Sequence, residues 1–446
     1  MSHFLLLSTP IYGHVTPMLA IGSGLVARGH RVTILTGRKY RSAVQARDMT
    51  FLPLPAEVDY DDARLDEWLP GRANNGGLAA GRRDIIGIFV RPMVSQYRTL
   101  RTALVSTRFD AVVCESAFMG VLPLLVGTSP SERLPVIGVS ATPVSVTSVD
   151  CAPFGSGLAP GDSAHTRRRN RFLTAVLRHG PLKPIQDAID GALAELGLPS
   201  ADGSYFDQLA RFDLAFQLAP PCLEYPRREL APTVRFVGPL RPPVSSGPLP
   251  QWWADLDGSR PVVHVTQGTL DNVDPGKLLV PAIRALARAN VLVVASTGGR
   301  PVDHVIAMLG GSLPGNARVA EFVPYQELFP RTDVVVTNGG FGGVQQALAH
   351  GVPLVVAGST EDKPEVAARV AWSGTGINLR TGRPTPRQLR SAVGTVRRDP
   401  CYRSAARRVE REIDHLGDPV SVITRSLEAL TSAAGGGNAD LVGSAG

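Results

Sequence analysis

The sequence is poor in lysine, and its positive charge comes almost entirely from arginine. Only four of the 46 basic residues are lysines, and the net charge of +7 is spread along the chain. Without aromatic residues interleaved among the arginines, a stacking surface for nucleic acid is not expected. Arginine, alanine, glycine and proline in place of lysine are typical of a GC-rich genome, as in actinobacteria.

Cysteines and long apolar runs are also scarce. The four cysteines, Cys114, Cys151, Cys222 and Cys401, lie far apart and form no CxxC pair. This pattern argues against a structural zinc site or a disulfide framework and indicates a reducing compartment. The opening MSHFLLLSTP lacks the features of a secretory signal, and no window reaches the roughly 18 apolar residues of a membrane span. We therefore expect a soluble, cytoplasmic protein.

One dense basic cluster stands out at residues 167–171, which read RRRNR. We interpret it as a solvated surface segment, because no aromatic side chains alternate with the arginines. The alternative is contact with phosphates or a peripheral membrane surface.

The order of apolar runs predicts an α/β fold. A strand at Phe4–Ser8, a helix at Pro17–Arg28 and a strand at Arg31–Thr36 form a β-α-β unit, which implies a parallel sheet. Further elements are expected in this half at Arg82–Leu104 (helix), Ala111–Val113 and Val136–Val139 (strands). Residues 151–170 are rich in glycine, proline and serine, which favours a long loop.

The same alternation restarts after a stretch rich in proline, serine and glycine near residue 240. Strands are predicted at Val262–Val265, Val291–Ala295, Val334–Thr337 and Leu354–Ala357, and helices at Leu278–Ala289, Gly343–His350, Pro364–Trp372 and Pro386–Val396. A chain of 446 residues is long enough for two such doubly wound domains. We predict an N-terminal, acceptor-binding domain at 1–240, a linker at 241–258 and a C-terminal, nucleotide-sugar-binding domain at 259–417. We also predict a last helix at 418–432 that packs back on the N-terminal domain, and a flexible tail at 433–446.

The segment TNGGFGGVQQALAHGVPLVV, residues 337–356, places glycines between a buried strand and a helix. It fails the dinucleotide fingerprint, because Gln345 stands where the third glycine is required. Glycines at a helix start still allow a phosphate to approach unpaired N–H groups. Gln267-Gly268-Thr269 follows another strand in the same way. Either loop alone is more often a tight turn, but the two together indicate phosphate binding.

The chain resembles the family 1 glycosyltransferases, especially their bacterial macrolide-type branch. The segment from Phe322-Val323-Pro324 to Asp362-Lys363 is similar to the family's donor signature, and Gly13-His14-Val15-Thr16-Pro17 resembles its GHxxP start. The resemblance implies two facing Rossmann-like domains with a cleft between them, the GT-B architecture. It also implies a nucleotide-diphosphate sugar as donor and co-substrate, without a metal or another cofactor.

The resemblance assigns the donor site residue by residue. The implied set is Gly13, Gly268, Thr269, Phe322, Val323, Tyr325, Asn338, Gly339, Gly340, Gly342, Gly343, Val344, Gln346, Asp362 and Lys363. Several of these depart from the family pattern. Asn338 replaces a histidine, Gly343 and Val344 replace a Ser/Thr pair, Gln346 replaces a ribose-binding glutamate and Lys363 replaces a glutamine. Phe322 stands for the tryptophan that stacks on the base, and Tyr325 for a glutamine. These changes leave the type of nucleotide open.

His14 is the candidate general base, since a histidine can accept a proton near neutral pH. Glu115 occupies the place of an aspartate that orients this histidine in the family, with a solvated strand-end acid as the alternative. Phe89, Phe118 and Met119 are the candidate acceptor residues, or else part of the core. The triplets Asp59-Tyr60-Asp61 and Asp255-Leu256-Asp257 lie in polar sequence, and we interpret them as surface acids, so no metal ligand is assigned.

The expected activity is inverting transfer of a sugar from a UDP- or dTDP-sugar to a hydroxyl of a lipophilic small molecule. A macrolide or other polyketide, a phenol and a glycolipid are all compatible acceptors. No nucleic-acid partner is expected, and the protein is expected to be a monomer or homodimer. Two alternatives remain open: a catalytically silent partner of an active glycosyltransferase, and a sugar-nucleotide epimerase of the same architecture.

Overall fold

The structure is a computed structural model, and it describes residues 1–71, 77–241, 249–269 and 271–436. These residues form two parallel α/β sheets, one in each half of the chain. The strand order is β3-β2-β1-β4-β5-β6-β7 in the first sheet and β10-β9-β8-β11-β12-β13 in the second. In each sheet, the first three strands of the half run outward from its first strand (β1 or β8) to one edge. The fourth strand lies on the other side of that first strand, and the later strands continue outward from there. The predicted tandem of doubly wound domains is confirmed.

The N-terminal sheet is built from short apolar strands whose central members are fully buried, as parallel strands covered on both faces must be. Its strands are β1 His3–Leu7, β2 Arg31–Thr36, β3 Thr50–Pro53, β4 Ala111–Glu115, β5 Val136–Ser140, β6 Leu214–Gln217 and β7 Val234–Phe236. Its helices are α1 Tyr12–Ala27, α2 Arg41–Gln45, α3 Leu65–Trp68, α4 Gly77–Asp84, α5 Met93–Ser106, α6 Leu122–Gly127, α7 Ala164–His179 and α8 Lys183–Glu195.

Two N-terminal helices differ from their predicted bounds. Helix α1 begins at Tyr12 rather than Pro17, and Pro17 is accommodated inside it near its start. The single helix predicted over Arg82–Leu104 is instead α4, a π-helical turn at Ile85–Val90, and α5. Pro92 lies at the junction with α5, where a proline disrupts the hydrogen bonding of a continuous helix.

The loop predicted over residues 151–170 is wrong in its second part. Helix α7 begins at Ala164, because the side chain of Ser163 caps it by accepting a hydrogen bond from the N–H of Thr166 at 3.1 Å. The basic cluster at residues 167–171 therefore lies on a helix, with Asn170 buried and Arg168 and Arg171 exposed.

The C-terminal half repeats the arrangement with six strands. They are β8 Val262–Thr266, β9 Leu292–Ser296, β10 Ala317–Ala320, β11 Val334–Thr337, β12 Leu354–Val356 and β13 Gly376–Asn378. The helices are α9 Leu279–Leu286, α10 Val302–Met308, α11 Tyr325–Leu328, α12 Phe341–Leu348, α13 Lys363–Trp372, α14 Pro386–Arg398, α15 Pro400–Leu416 and α16 Pro419–Gly436. The sequence predicts α9, α12, α13, α14 and α16, but not α10, α11 or α15.

The end of the predicted linker at 241–258 is part of the C-terminal domain. Residues 242–248 lie outside the described residues, but Trp253 and Leu256 are buried against Val262 and Leu292 of the C-terminal sheet. The aromatic and apolar side chains of this stretch find a hydrophobic surface there, so it belongs to the C-terminal core.

The last helix, α16, follows the C-terminal half in sequence but packs on the N-terminal half, as predicted. Val420 lies so close to Gly24 of α1 that a Cβ on this glycine would be 2.2 Å from Val420 Cγ1. Glu428 contacts Arg28 at 2.6 Å and His30 at 2.9 Å, and the hydrogen bonds from these two side chains lower the pKa of Glu428 to about 2. The helix extends to Gly436, four residues beyond the predicted end at 432, and residues 437–446 of the predicted tail lie outside the described residues.

In the part of the chain that the structure describes, no helix is both long and apolar enough to cross a membrane. The short connection between β6 and β7 lies against the C-terminal half. Ala219 and Leu223 are buried in a cluster with α12, α13 and α15. The carboxyl ends of the strands in each half, where parallel sheets place their ligands, carry the candidate site residues.

Candidate active site

The candidate general base and its carboxylate meet at the carboxyl edge of the N-terminal sheet. His14 lies in the first turn of α1, directly after β1, and Glu115 is the last residue of β4, which pairs with β1. His14 Nδ1 lies 2.8 Å from Glu115 Oε1. This oxygen also accepts a hydrogen bond from the N–H of Ala117 at 2.8 Å, which fixes the carboxylate. Nδ1 is thereby committed to Glu115, and Nε2 is the ring nitrogen left for a substrate.

The electrostatic surroundings of His14 favour its protonated form. Burial is the largest single effect and would lower the pKa of His14, but the nearby carboxylates, Glu115 first, together raise it above its ordinary value. Asp362 and Glu361 of the C-terminal half add to the increase. These two acids act on His14 from the other domain, so the two halves face each other across the site.

On the N-terminal side, aromatic rings lead away from His14 to a cavity. Phe89 lies 6.0 Å from His14 between ring centroids, and Tyr205 lies 6.2 Å from Phe89. Tyr205 also lines a cavity of about 90 Å³, together with Phe154 and Phe206. We call this cavity the acceptor pocket. Sequence reasoning did not find Tyr205, which lies in a short polar segment without a periodic pattern.

Phe118 and Met119 do not reach this pocket. Phe118 is fully buried in the N-terminal core with Val121 and Leu124, and Met119 is buried against Met93 and Ile185. Both side chains therefore lie in the core, which is the alternative given for them above. Of the three predicted acceptor residues, only the half-buried Phe89 lies beside His14.

On the C-terminal side, the glycine-rich loop opens space at the start of α12. A Cβ atom added at Gly340, Gly342 or Gly343 would meet nothing within 4 Å. Gly13, in the first turn of α1, has the same free space. Gly339 is different, because it has a φ of +91° and a Cβ there would lie 2.7 Å from Val356. The loop thus leaves the first N–H groups of α12 accessible to an anion.

Val344 is not one of the donor contacts. Its side chain is buried in the C-terminal core, and its N–H already donates to the carbonyl of Gly340 at 3.0 Å. The first turn of a helix frees only its earliest N–H groups, and Val344 lies one residue too late. Gly268, with a φ of +69°, and the exposed Thr269 follow β8 as predicted.

Two polar residues of the donor set are engaged within the protein. The side-chain amide nitrogen of Asn338 donates to the carbonyl of Gln267 and joins the two glycine loops. Lys363 is buried, and its ammonium group pairs with Glu361. Both side chains therefore shape the loops, and their contact with a phosphate or sugar stays a prediction.

Gln346 lies where the chain passes between the domains. Its amide nitrogen donates to the carbonyl of Leu240 at 2.6 Å, whereas its Oε1 is buried and has no hydrogen-bond partner. A buried amide oxygen without a partner is costly. Its contact with a ribose hydroxyl stays a prediction.

Three residues are predicted to lie near the base of the nucleotide, and they differ in their surroundings. Phe322 is 65% exposed and lies over the loop at Gly299, as a stacking residue would. Val323 packs against the core cluster of Trp253. Tyr325 stacks on Phe329 with ring centroids 4.5 Å apart, and its hydroxyl bonds to side chains at the ends of β8 and β9. Val323 and Tyr325 thus pack into the protein next to the predicted site.

Asp362 occupies the N-terminal cap position of α13. Burial raises its pKa above the ordinary value, although Lys363 acts in the opposite direction. Residues 358–360 before it line a polar cavity of about 280 Å³ together with Lys277, Asn338 and Arg383. The cavity lies beside the donor loops and offers polar partners.

The two Asp-x-Asp triplets are held by nearby groups. Asp59 and Asp61 pair with Arg38 and Lys39. In the second triplet, Asp255 pairs with Arg318 at 2.6 Å, and Asp257 accepts the N–H of Ser259 at 2.8 Å. Among the described residues, no group of three or more histidine, cysteine, aspartate or glutamate side chains is arranged to hold a metal ion.

Comparisons with known proteins agree with this geometry. Residues 302–430 match the family model described as "Erythromycin biosynthesis protein CIII-like, C-terminal domain". The chain is 39% identical over 432 residues to 4'-demethylrebeccamycin synthase of Lentzea aerocolonigenes, covering 94% of this chain and 98% of that one. It is 35% identical over 448 residues to UDP-glycosyltransferase 2 of Phaeomoniella chlamydospora, covering 97% and 96%.

The fold is also that of a solved glycosyltransferase. The crystal structure of the glycotransferase of kitacinnamycin superposes with a TM-score of 0.72 at 24% identity, covering 96% of this chain and 98% of that one. The GT-B architecture expected from the motifs is confirmed. The chain belongs to the family 1 glycosyltransferases.

Proposed function

We propose that this glycosyltransferase moves a sugar, with inversion, from a nucleotide-diphosphate sugar to a hydroxyl of a lipophilic small molecule. The observation that carries the proposal is the His14–Glu115 pair at 2.8 Å, which faces Asp362 of the donor half. A histidine with one nitrogen held by a carboxylate is suited to accept a proton at the other.

In the proposed step, the acceptor oxygen attacks the anomeric carbon while its proton passes to Nε2 of His14. The bond between the anomeric carbon and the diphosphate oxygen breaks, and its electron pair leaves with the diphosphate. Glu115 steadies the imidazolium that forms. The free N–H groups at Gly342 and Gly343 stabilise the charge on the leaving diphosphate. Because this charge is met by N–H groups, we propose that the reaction needs no metal ion.

The acceptor pocket supports a lipophilic acceptor, since Phe154, Tyr205 and Phe206 line it and Phe89 connects it to His14. Relatives named for 4'-demethylrebeccamycin and kitacinnamycin point in the same direction. The polar cavity beside Asp362 supports a hydroxyl-rich sugar on the donor side.

The test is a mass-spectrometric screen of UDP- and dTDP-sugars against a panel of polyketide, phenolic and glycolipid acceptors, with and without excess chelator. We expect a glycoside and free nucleoside diphosphate in equal amounts, undiminished by the chelator. Strict dependence on manganese or magnesium would contradict the metal-independent step. Conversion of the donor without an acceptor would favour an epimerase, and an absence of any turnover would favour a silent partner protein.

A further inference from the structure

A buried ion cluster connects the two halves outside the catalytic pair. Arg369 on α13 is fully buried, and its guanidinium lies 2.9 Å from Glu224 Oε2 and 2.8 Å from Glu365 Oε2. It also packs over the ring of Tyr225 at 4.3 Å. Burial would lower the pKa of Arg369, but the carboxylates of Glu224 and Glu365 outweigh burial and raise it. The charge is therefore held by one carboxylate from each half.

The cost of burying these charges calls for an explanation. A buried ion pair must overcome the desolvation of both partners, and apolar residues of similar size are often at least as stabilising. Stabilising the contact between the two domains is therefore a weak explanation for a buried ion cluster. The hydrogen bonds that its carboxylates accept from the backbone indicate a more specific role.

Both carboxylates hold the same loop. We define the acceptor loop as residues 141–163, between β5 and α7. Glu365 Oε1 accepts the N–H of Gly155 at 2.9 Å and that of Gly157 at 3.0 Å. Glu224 Oε1 accepts the N–H of Val144 at 2.9 Å. The loop is therefore fixed at its beginning and at its middle, and the stretch between these anchors forms one wall of the acceptor pocket.

The helix that carries Glu365 and Arg369 begins at the donor site. Asp362 occupies the N-terminal cap position of α13, Glu365 follows within one turn, and Arg369 lies one turn further. At 1.5 Å per residue, the span from Asp362 to Arg369 is about 10 Å of rigid helix. A single short helix thus touches the donor sugar site at one end and the acceptor loop along its side.

We propose that Glu365 is a positioning residue for the acceptor, and this rests on the proposed function. It contacts none of the reacting atoms. It holds the wall of the acceptor pocket in place only while the C-terminal domain lies against the N-terminal domain. The pocket is therefore complete in the closed arrangement that also brings Asp362 towards His14.

Hydrogen–deuterium exchange tests the contact without any assay of activity. In Glu365→Ala, the amides of Gly155 and Gly157 lose their acceptor, and peptides covering residues 150–163 should exchange faster. Glu365→Gln keeps an oxygen for these amides and should lie between the wild type and the alanine variant. Unchanged exchange in both variants would overturn the proposal, whether or not an acceptor has been found.

The kinetic test separates positioning from general packing. In Glu365→Ala we expect the acceptor KM to rise at least about tenfold, with kcat and the nucleotide Kd within about threefold of wild type. Glu412→Ala is the matched control, because Glu412 on α15 also crosses between the halves, accepting the N–H of Cys222 at 2.9 Å, but away from the acceptor loop.

The kinetic experiment and the exchange experiment can each contradict the proposal separately. An equal rise of the acceptor KM in Glu412→Ala would show that any loosening between the domains suffices, and it would overturn the role given to Glu365. An unfolded Glu365→Ala variant is recognised by its melting curve, and Glu365→Gln then carries both measurements. If the wild type transfers no sugar, the proposed function fails, while the exchange experiment still decides whether Glu365 holds the loop.

Discussion

The two halves of the molecule have similar sheets but build their parts of the site differently. In the N-terminal half the proposed chemistry depends on two side chains, His14 and Glu115, held 2.8 Å apart. In the C-terminal half the start of α12 offers backbone N–H groups and free space at Gly342 and Gly343. A substitution in the first half should therefore affect the reaction itself, whereas one in the second should affect what is bound.

The largest effect is expected from removing the base. His14→Ala should reduce kcat by about 10²–10⁴-fold, the usual contribution of general base catalysis. Binding of the nucleoside diphosphate should hardly change, because its proposed site lies in the other half. Steady-state kinetics and calorimetry measure the two quantities. His165→Ala, at an exposed histidine on α7, is the control. A His14 variant that retains more than about a tenth of the wild-type kcat would remove His14 from the mechanism.

The converse experiment fills the free space of the donor loop. Gly342→Val should weaken nucleotide binding at least about tenfold, since its side chain occupies the space where the diphosphate is proposed to lie. The fold should tolerate the change, because a Cβ at Gly342 meets nothing within 4 Å. Gly191→Val is the matched control, since Gly191 also lies in a helix and has equally free surroundings. Equal nucleotide affinity in the two variants would contradict the location of the diphosphate.

A smaller effect, with a defined pH dependence, is expected for Glu115→Gln. The base must be unprotonated, so kcat/KM rises with pH through the pKa of His14, which Glu115 raises above about 6.5. Without this carboxylate, one of the groups that raise the pKa of His14 is lost, and the pKa should fall. The acidic limb of the profile should therefore move to lower pH, and the plateau should decrease because the imidazolium loses its partner.

The loss of activity in Glu115→Gln should thus be greater at pH 8 than at pH 6. Asp61→Asn is the control, since Asp61 is also an N-terminal acid but pairs with Lys39. A profile that moves towards higher pH, or does not move, would show that Glu115 does not set the protonation of His14.

The comparison of the halves also explains what could be predicted from the sequence. The alternation of buried strands and helices predicted the central strands of both sheets, because parallel strands covered on both faces are apolar throughout and easily recognised. It did not predict β3, β6, β7, β10 and β13, which lie nearer the sheet edges. His14 was assigned from its motif and place after β1. Helix α15 was missed although its signal was present, since Ala405, Val409 and Ile413 recur every four residues.

The donor residues were harder to assign because a motif fixes positions but not the direction of side chains. Asn338 and Tyr325 lie in the predicted segments, yet Asn338 bonds to Gln267 and Tyr325 stacks on Phe329. The spacing of Glu365 and Arg369 is typical of an exposed salt bridge on a helix. Their burial depends on Glu224, which lies 145 residues away from Arg369 in sequence and which no local pattern connects to them.

The smallest expected effect concerns the recognition of the ribose by Gln346. Its amide nitrogen is engaged by Leu240, so only Oε1 is available to accept a ribose hydroxyl. A deoxyribose then loses little by lacking its 2′-hydroxyl. Uridine and deoxythymidine diphosphates should bind within about tenfold of each other, a difference below about 1.4 kcal/mol.

Gln346→Glu offers two charged acceptor oxygens and should shift the ratio of affinities towards uridine diphosphate, because hydrogen bonds to charged groups contribute about 1.5–3 kcal/mol. The same change removes the donor to the carbonyl of Leu240 and should lower the melting temperature. The ratio of the two nucleotides is therefore the informative quantity, since a general loosening affects both equally. Gln346→Ala, with no acceptor, is the control and should leave the ratio near one. Calorimetry that finds a strong preference for uridine diphosphate in the wild type, unchanged in both variants, would show that the ribose is recognised elsewhere.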